Sequence, residues 1–125
     1  MADDALFSSI DTVLLRVQDV GAAKSWYRDK LGMEASYEDE AQRLVVLDAG
    51  AGTSITLWEL KRGETPAAPG AATTYPILAV GDAQQAWREL RERQVLVDPV
   101  TESGGVTWVQ FRYLDGNRLE ACQVH

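Results

Sequence analysis

The chain has 125 residues, with 12 Lys and Arg against 19 Asp and Glu, a formal net charge of −7, and 46% apolar and 25% charged content. That length supports one domain with its own core, and the apolar content excludes a disordered chain. The acidic balance repels a phosphate backbone, so nucleic acid is not expected as a partner and a neutral or cationic small molecule is.

Ile10–Asp19 is the first patterned run. Val13, Leu15 and Val17 alternate with Thr12, Leu14 and Arg16, which reads as a strand. Asp19 follows as a helix N-cap, and Val20, Ala23, Trp26, Tyr27 and Leu31 recur at helical spacing up to Gly32, a C-terminal stop. Met33–Glu38, Arg43–Asp48 and Ser54–Leu60 then read as three strands, separated by Asp39–Ala41 and Ala49–Gly52. Lys61–Ala72, with two Pro and two Gly and no periodicity, reads as a linker.

The pattern then restarts. Tyr75–Val80 reads as a strand, Asp82 as an N-cap, and Ala83, Ala86, Trp87 and Leu90 as the apolar stripe of a second helix. Val95–Val100, Val106–Tyr113 and Arg118–Val124 complete three further strands, with turns at Gly104-Gly105 and Asp115-Gly116-Asn117. Both halves are β-α-β-β-β, and a shift of 63 residues lays Asp19 on Asp82 and Thr12 on Tyr75. An internal duplication accounts for this, with modules 10–60 and 73–125 in one domain spanning 1–125. The expected class is α+β, two βαβββ modules forming a curled, cup-shaped mixed sheet with the helices on its convex face.

Strand parity then sorts the side chains. With Val13, Leu15 and Val17 against the helix, Thr12, Leu14 and Arg16 face the concave side. The same reasoning places Thr56, Trp58, Trp108, Arg112, Glu120 and Cys122 there. Trp26 and Trp87, on the helical stripes, are expected in the core. Arg88–Arg93 reads as a solvated helix face, and Cys122 as a small filler in place of a nucleophile.

The single Cys and the single His, the latter at position 125, exclude an intrachain disulfide, a Cys-based zinc site and a two-His iron site within one chain. They leave Ser-His or Cys-His catalysis nothing but a terminal imidazole. The longest apolar runs fall well short of 18 residues and the opening Met1–Ser9 is acidic, so a cytoplasmic protein without a membrane segment is expected.

Four segments in this order resemble the glyoxalase/bleomycin-resistance/dioxygenase family, or vicinal oxygen chelate superfamily. They are Val13–Asp19, Trp26–Gly32, Gly104-Gly105 and Leu114–Glu120. The resemblance runs from Ile10 to Val124. It implies, for the family's enzymes, a divalent metal held by one residue from the first and last strand of each half. Carried over, those positions are Thr12, Thr56, Tyr75 and Glu120, of which Glu120 alone is a good ligand. The resemblance therefore points to the metal-free binding members, with no cofactor, which act as homodimers on small molecules. The expected ligand contacts are Thr12, Arg16, Thr56, Trp58, Tyr75, Trp108, Arg112 and Glu120, and the expected ligand is flat and aromatic or cationic. The alternative is an enzyme of the same fold, of lyase, isomerase or dioxygenase type. It would use Glu120 as a general base with Tyr75 or Arg16 as electrophilic partner, or a metal site built from other donors.

Overall fold

The computed structural model describes residues 6–66, 74–113 and 115–125. The chain forms two compact units, Met1–Leu60 and Lys61–His125. The first is a βαβββ module and the second has one strand more, and each carries a helix on one face of a mixed sheet, an α+β fold.

In the first unit, β1 (Thr12–Val17), α1 (Val20–Leu31), β2 (Ala35–Asp39), β3 (Leu44–Asp48) and β4 (Ser54–Glu59) give the strand order β1-β4-β3-β2. β1 runs parallel to β4, and the other pairs are antiparallel. The alternation read from the sequence has its physical cause here. Leu15, Val17, Val45, Leu47, Ile55 and Leu57 turn toward α1 and are buried, together with Val20, Ala23 and Tyr27 of the helix. Asp19 caps α1 by accepting from the Ala22 amide at 3.0 Å, and Gly32 ends it in the left-handed region at φ 73°.

The second unit repeats the plan with β5 (Ile77–Ala79), α2 (Ala83–Glu92), β6 (Leu96–Val97), β7 (Thr101–Ser103), β8 (Val106–Arg112) and β9 (Arg118–Val124). The main path is β5-β9-β8-β6, with β7 also paired to β8. β5 is parallel to β9, as β1 is to β4. Val109, Phe111, Leu119 and Ala121 form the core with Ala83 and Leu90 of α2. Asp82 accepts from the Gln85 amide at 3.0 Å, capping α2 as expected.

Three local expectations need correction. The strand expected over Tyr75–Val80 is only Ile77–Ala79, because Pro76 has no N–H to give the ladder. The strand expected over Val95–Val100 is only β6, which ends before Pro99, and a further strand not expected from the sequence, β7, follows at Thr101–Ser103. β7 pairs with β8 through Gly104 and Gly105, both at positive φ (59° and 81°), the conformation a two-residue hairpin turn requires. Trp26 and Trp87 are half-buried, outside the core. The small Ala23 and Ala83 occupy the centres of the two helix contacts, which brings helix and sheet close and leaves the bulky indoles at the margin. Trp26 packs edge-on to Tyr27 with ring centroids 5.0 Å apart, and Arg91 lies 4.8 Å over Trp87, one turn along the helix. Half of the expected linker, residues 67–72, and Leu114 lie outside the described residues. Among the described residues, no helix is long and apolar enough to cross a membrane.

Candidate functional site

The face of each sheet opposite its helix carries the residues that parity assigned to ligand contact. In the first unit Thr12 and Thr56 lie on adjacent parallel strands, and their hydroxyls hydrogen-bond to each other at 2.8 Å. Arg16 stands opposite Trp58 and stacks its guanidinium 4.3 Å over the indole. Its Nε and Nη2 donate to the backbone carbonyls of Trp58 and Glu59 at 3.2 and 3.1 Å. The Trp58 indole N–H donates to the Gln42 carbonyl at 3.0 Å. One face of Trp58 is thus covered from within the unit, and the Arg16 charge is tied to backbone.

The second unit is arranged differently. Glu120, on β9, is 7% exposed and sits directly across from Gln110 on β8. The Gln110 side-chain nitrogen donates to Glu120 Oε1 at 3.2 Å and to the Tyr75 hydroxyl at 3.1 Å. Three polar side chains from three segments therefore meet on one face. Gln110, the hub of this group, was not singled out from the sequence. Its shared parity with Trp108 and Arg112 was the available signal, and its position opposite Glu120 follows from the hairpin closed at Asp115-Gly116-Asn117. Arg118 approaches the Tyr75 ring at 5.4 Å.

One row along the same face, Trp108 pairs with Cys122, and Cys122 with Ala79. Small neighbours thus flank the half-buried indole, and among the described residues no side chain stacks on it. Cys122 is a half-buried free thiol. Arg112 is taken up by Asp98 at 2.6 Å, a partner that sequence spacing does not reveal. His125 is bound to the Thr107 hydroxyl at 2.6 Å, its backbone N–H donating to the Gly105 carbonyl.

A hollow of about 290 Å³ in the first unit, between α1 and the β2–β3 hairpin, lies on the helix side of the sheet, away from these residues. Its cations are engaged by neighbouring carboxylates. Lys24 meets Glu38 at 2.7 Å, and Arg43 grips both oxygens of Glu59 at 2.9 and 3.0 Å. Glu59 also accepts from the first amide of α1, that of Val20, at 3.0 Å. The Arg43 hydrogen bond, with the Val20 amide second, holds the Glu59 carboxyl below its ordinary range. This charge cluster ties the helix to the sheet.

The four positions that the resemblance gives to a divalent metal do not fit one. The first unit supplies two neutral hydroxyls already bonded to each other. The second supplies a phenol bonded to Gln110 and a single carboxylate. Catalytic metal sites draw on about three anionic or imidazole donors. Among the described residues, no three His, Cys, Asp or Glu side chains come together as a metal-binding group.

The family model for the Glyoxalase/Bleomycin resistance protein/Dioxygenase superfamily matches residues 9–121. No curated protein is significantly similar to the chain. Among solved structures, TnmS3, an antibiotic binding protein from Streptomyces sp. CB03234, is 21% identical with a TM-score of 0.77. That match covers 97% of this chain and 99% of that one. A member of the same superfamily from Sphaerobacter thermophilus is 22% identical, with a TM-score of 0.79 and coverage of 95% and 99%. FosX, a fosfomycin resistance protein from Listeria monocytogenes, is 13% identical, with a TM-score of 0.76 and coverage of 96% of each chain. At these identities the likeness is one of fold.

Proposed function

The chain belongs to the glyoxalase/bleomycin resistance protein/dioxygenase superfamily, and from that premise we propose that it is a metal-free protein that binds and sequesters a flat aromatic or cationic small molecule. The observation that carries this reading is the helix-free face of the second unit. There a nearly buried carboxylate, Glu120, is organised by Gln110 beside Tyr75, one row from the half-buried indole of Trp108, on which no described side chain stacks. A fixed anion next to a π surface suits stacking plus charge or hydrogen-bond recognition. The protein's net charge of −7 draws cations toward it at long range. The metal-free reading is supported by the donor set, where hydroxyls and an amide-bonded phenol stand at three of the four expected positions. One neighbour in fold is an antibiotic binding protein and another a fosfomycin resistance protein; a protective role by binding extends that pattern to this chain.

The protein acts as a homodimer in this proposal, in the cytoplasm. Leu14 and Tyr37 on the first sheet, and Ile77 and Leu96 on the second, are large apolar side chains 49–63% exposed on the helix-free faces. Such surface calls for a cover, which a second copy supplies.

Native mass spectrometry of protein purified from its own source tests all parts together. The expected result is a dimer that retains a small organic molecule and no stoichiometric metal. A mass near 13.8 kDa at tens of micromolar ends the dimer proposal, and about one Zn, Ni, Mn or Fe per chain ends the metal-free one.

A further inference from the structure

The protons of the Tyr75–Gln110–Glu120 group can be counted, and the count says which kind of ligand edge it accepts. Glu120 as a carboxylate can only accept hydrogen bonds. The Gln110 amide must therefore turn its NH2 to Glu120, since the reverse orientation would set the amide oxygen against the carboxylate. That same nitrogen lies 3.1 Å from the Tyr75 hydroxyl, so its two hydrogens go to Tyr75 and Glu120 Oε1. Tyr75 accepts from Gln110 and keeps its own proton to give. Among the described residues, nothing accepts that proton and nothing donates to Glu120 Oε2. The group thus leaves one donor, the Tyr75 O–H, and one acceptor, Glu120 Oε2, on two side chains held by the same Gln110 nitrogen.

We propose that this half-site recognises a flat ligand whose edge carries an N–H donor next to a carbonyl acceptor, as in a primary amide or lactam, and rejects a carboxylate at the same place. The inference rests on the ligand-binding reading above and specifies its chemistry. A ligand carbonyl takes the Tyr75 proton and the adjacent N–H binds Glu120, so both groups are satisfied. An amidinium binds Glu120 but gives Tyr75 no acceptor. A carboxylate bonds Tyr75 but faces the Glu120 charge, and Arg112 does not offset this because Asp98 holds it at 2.6 Å. Trp108, two residues from Gln110 on β8 and therefore on the same face, with Cys122 beside it, offers the ring surface.

The test uses three probes of one shape, 2-naphthamide, 2-naphthamidinium and 2-naphthoate, titrated calorimetrically at neutral pH into the full-length protein. Naphthamide and naphthamidinium are expected to bind at least about tenfold tighter than naphthoate. Tyr75→Phe should weaken naphthamide by about three- to tenfold and leave naphthamidinium within about twofold. Glu120→Gln should erase the preference over naphthoate, with circular dichroism confirming that each variant is folded. Trp108→Phe should weaken all three probes alike. If naphthoate binds as tightly as naphthamide, or Tyr75→Phe weakens amide and amidinium equally, the proposed edge recognition is overturned while ligand binding stands. If none of the probes binds the folded wild-type protein at millimolar concentration, the ligand-binding reading itself falls.

Discussion

The two modules share their backbone devices and differ in what their sheets display. In both, an Asp caps the helix, and a side chain near the end of the last strand accepts from the helix's first amide. Glu59 does this for Val20 at 3.0 Å, and Gln123 for Ala83 at 2.9 Å. On the helix-free faces the likeness ends. Thr12 and Thr56 satisfy each other, and Arg16 covers one face of Trp58, so these candidate contacts of the first face are engaged within their own unit. Among the described residues, Tyr75, Gln110 and Glu120 leave a donor and an acceptor unspent, and no side chain stacks on the half-buried Trp108. The two units thus share their helix-to-sheet joints, which bear directly on folding, and differ in the polar groups of the opposite face.

The largest effects should come from the shared scaffold. Leu57→Ala and Leu119→Ala each remove a fully buried leucine from the strand that pairs with the first strand of its unit. Each should cost about 2–5 kcal/mol in urea unfolding. A cost below about 1 kcal/mol for either would break the equivalence of the two cores.

Next come the caps. Asp19→Ala and Asp82→Ala each remove the acceptor for a helix amide at 3.0 Å, and each should cost about 1 kcal/mol by the same measurement. A several-fold difference between them would show that one helix is held chiefly by its packing.

The smallest effect sharpens the comparison most, because it concerns the one joint where the modules differ in charge. Glu59→Gln should cost about 0.5–1 kcal/mol at neutral pH, a modest figure because Arg43 is more than half exposed. Since the folded Glu59 carboxyl lies below its ordinary value near 4.5, its contribution is complete above that value. It is lost as the pH falls through the lowered folded value. The penalty of Glu59→Gln should therefore fade in acid, whereas that of Gln123→Ala should stay flat with pH. Equal pH dependence in the two variants would contradict the assigned ion pair.

Much of the scaffold was legible because it obeys local rules. The alternation of Val13, Leu15 and Val17, the helical spacing from Val20 to Leu31 and the left-handed stop at Gly32 depend on neighbours within a turn or a pleat. The two Asp caps were legible for the same reason. The indoles of Trp26 and Trp87 were misplaced because periodicity identifies a stripe but not its centre. The space between helix and sheet decides that, and Ala23 and Ala83 made it narrow.

Charge, the scarcity of Cys and His, the duplicated βαβββ order and the parity of Glu120 were all determined by the sequence itself, since each needs only composition or near-neighbour spacing. Tertiary structure alone decided which polar groups are spent and which are left to act. Gln110 reaches Tyr75 across 35 residues, Arg16 reaches the Trp58 carbonyl across 42, and Gln123 reaches α2 across 40. Such pairings follow from the register in which strands meet, and register is set by the packing of a whole face at once, not by the residues on either side of one position.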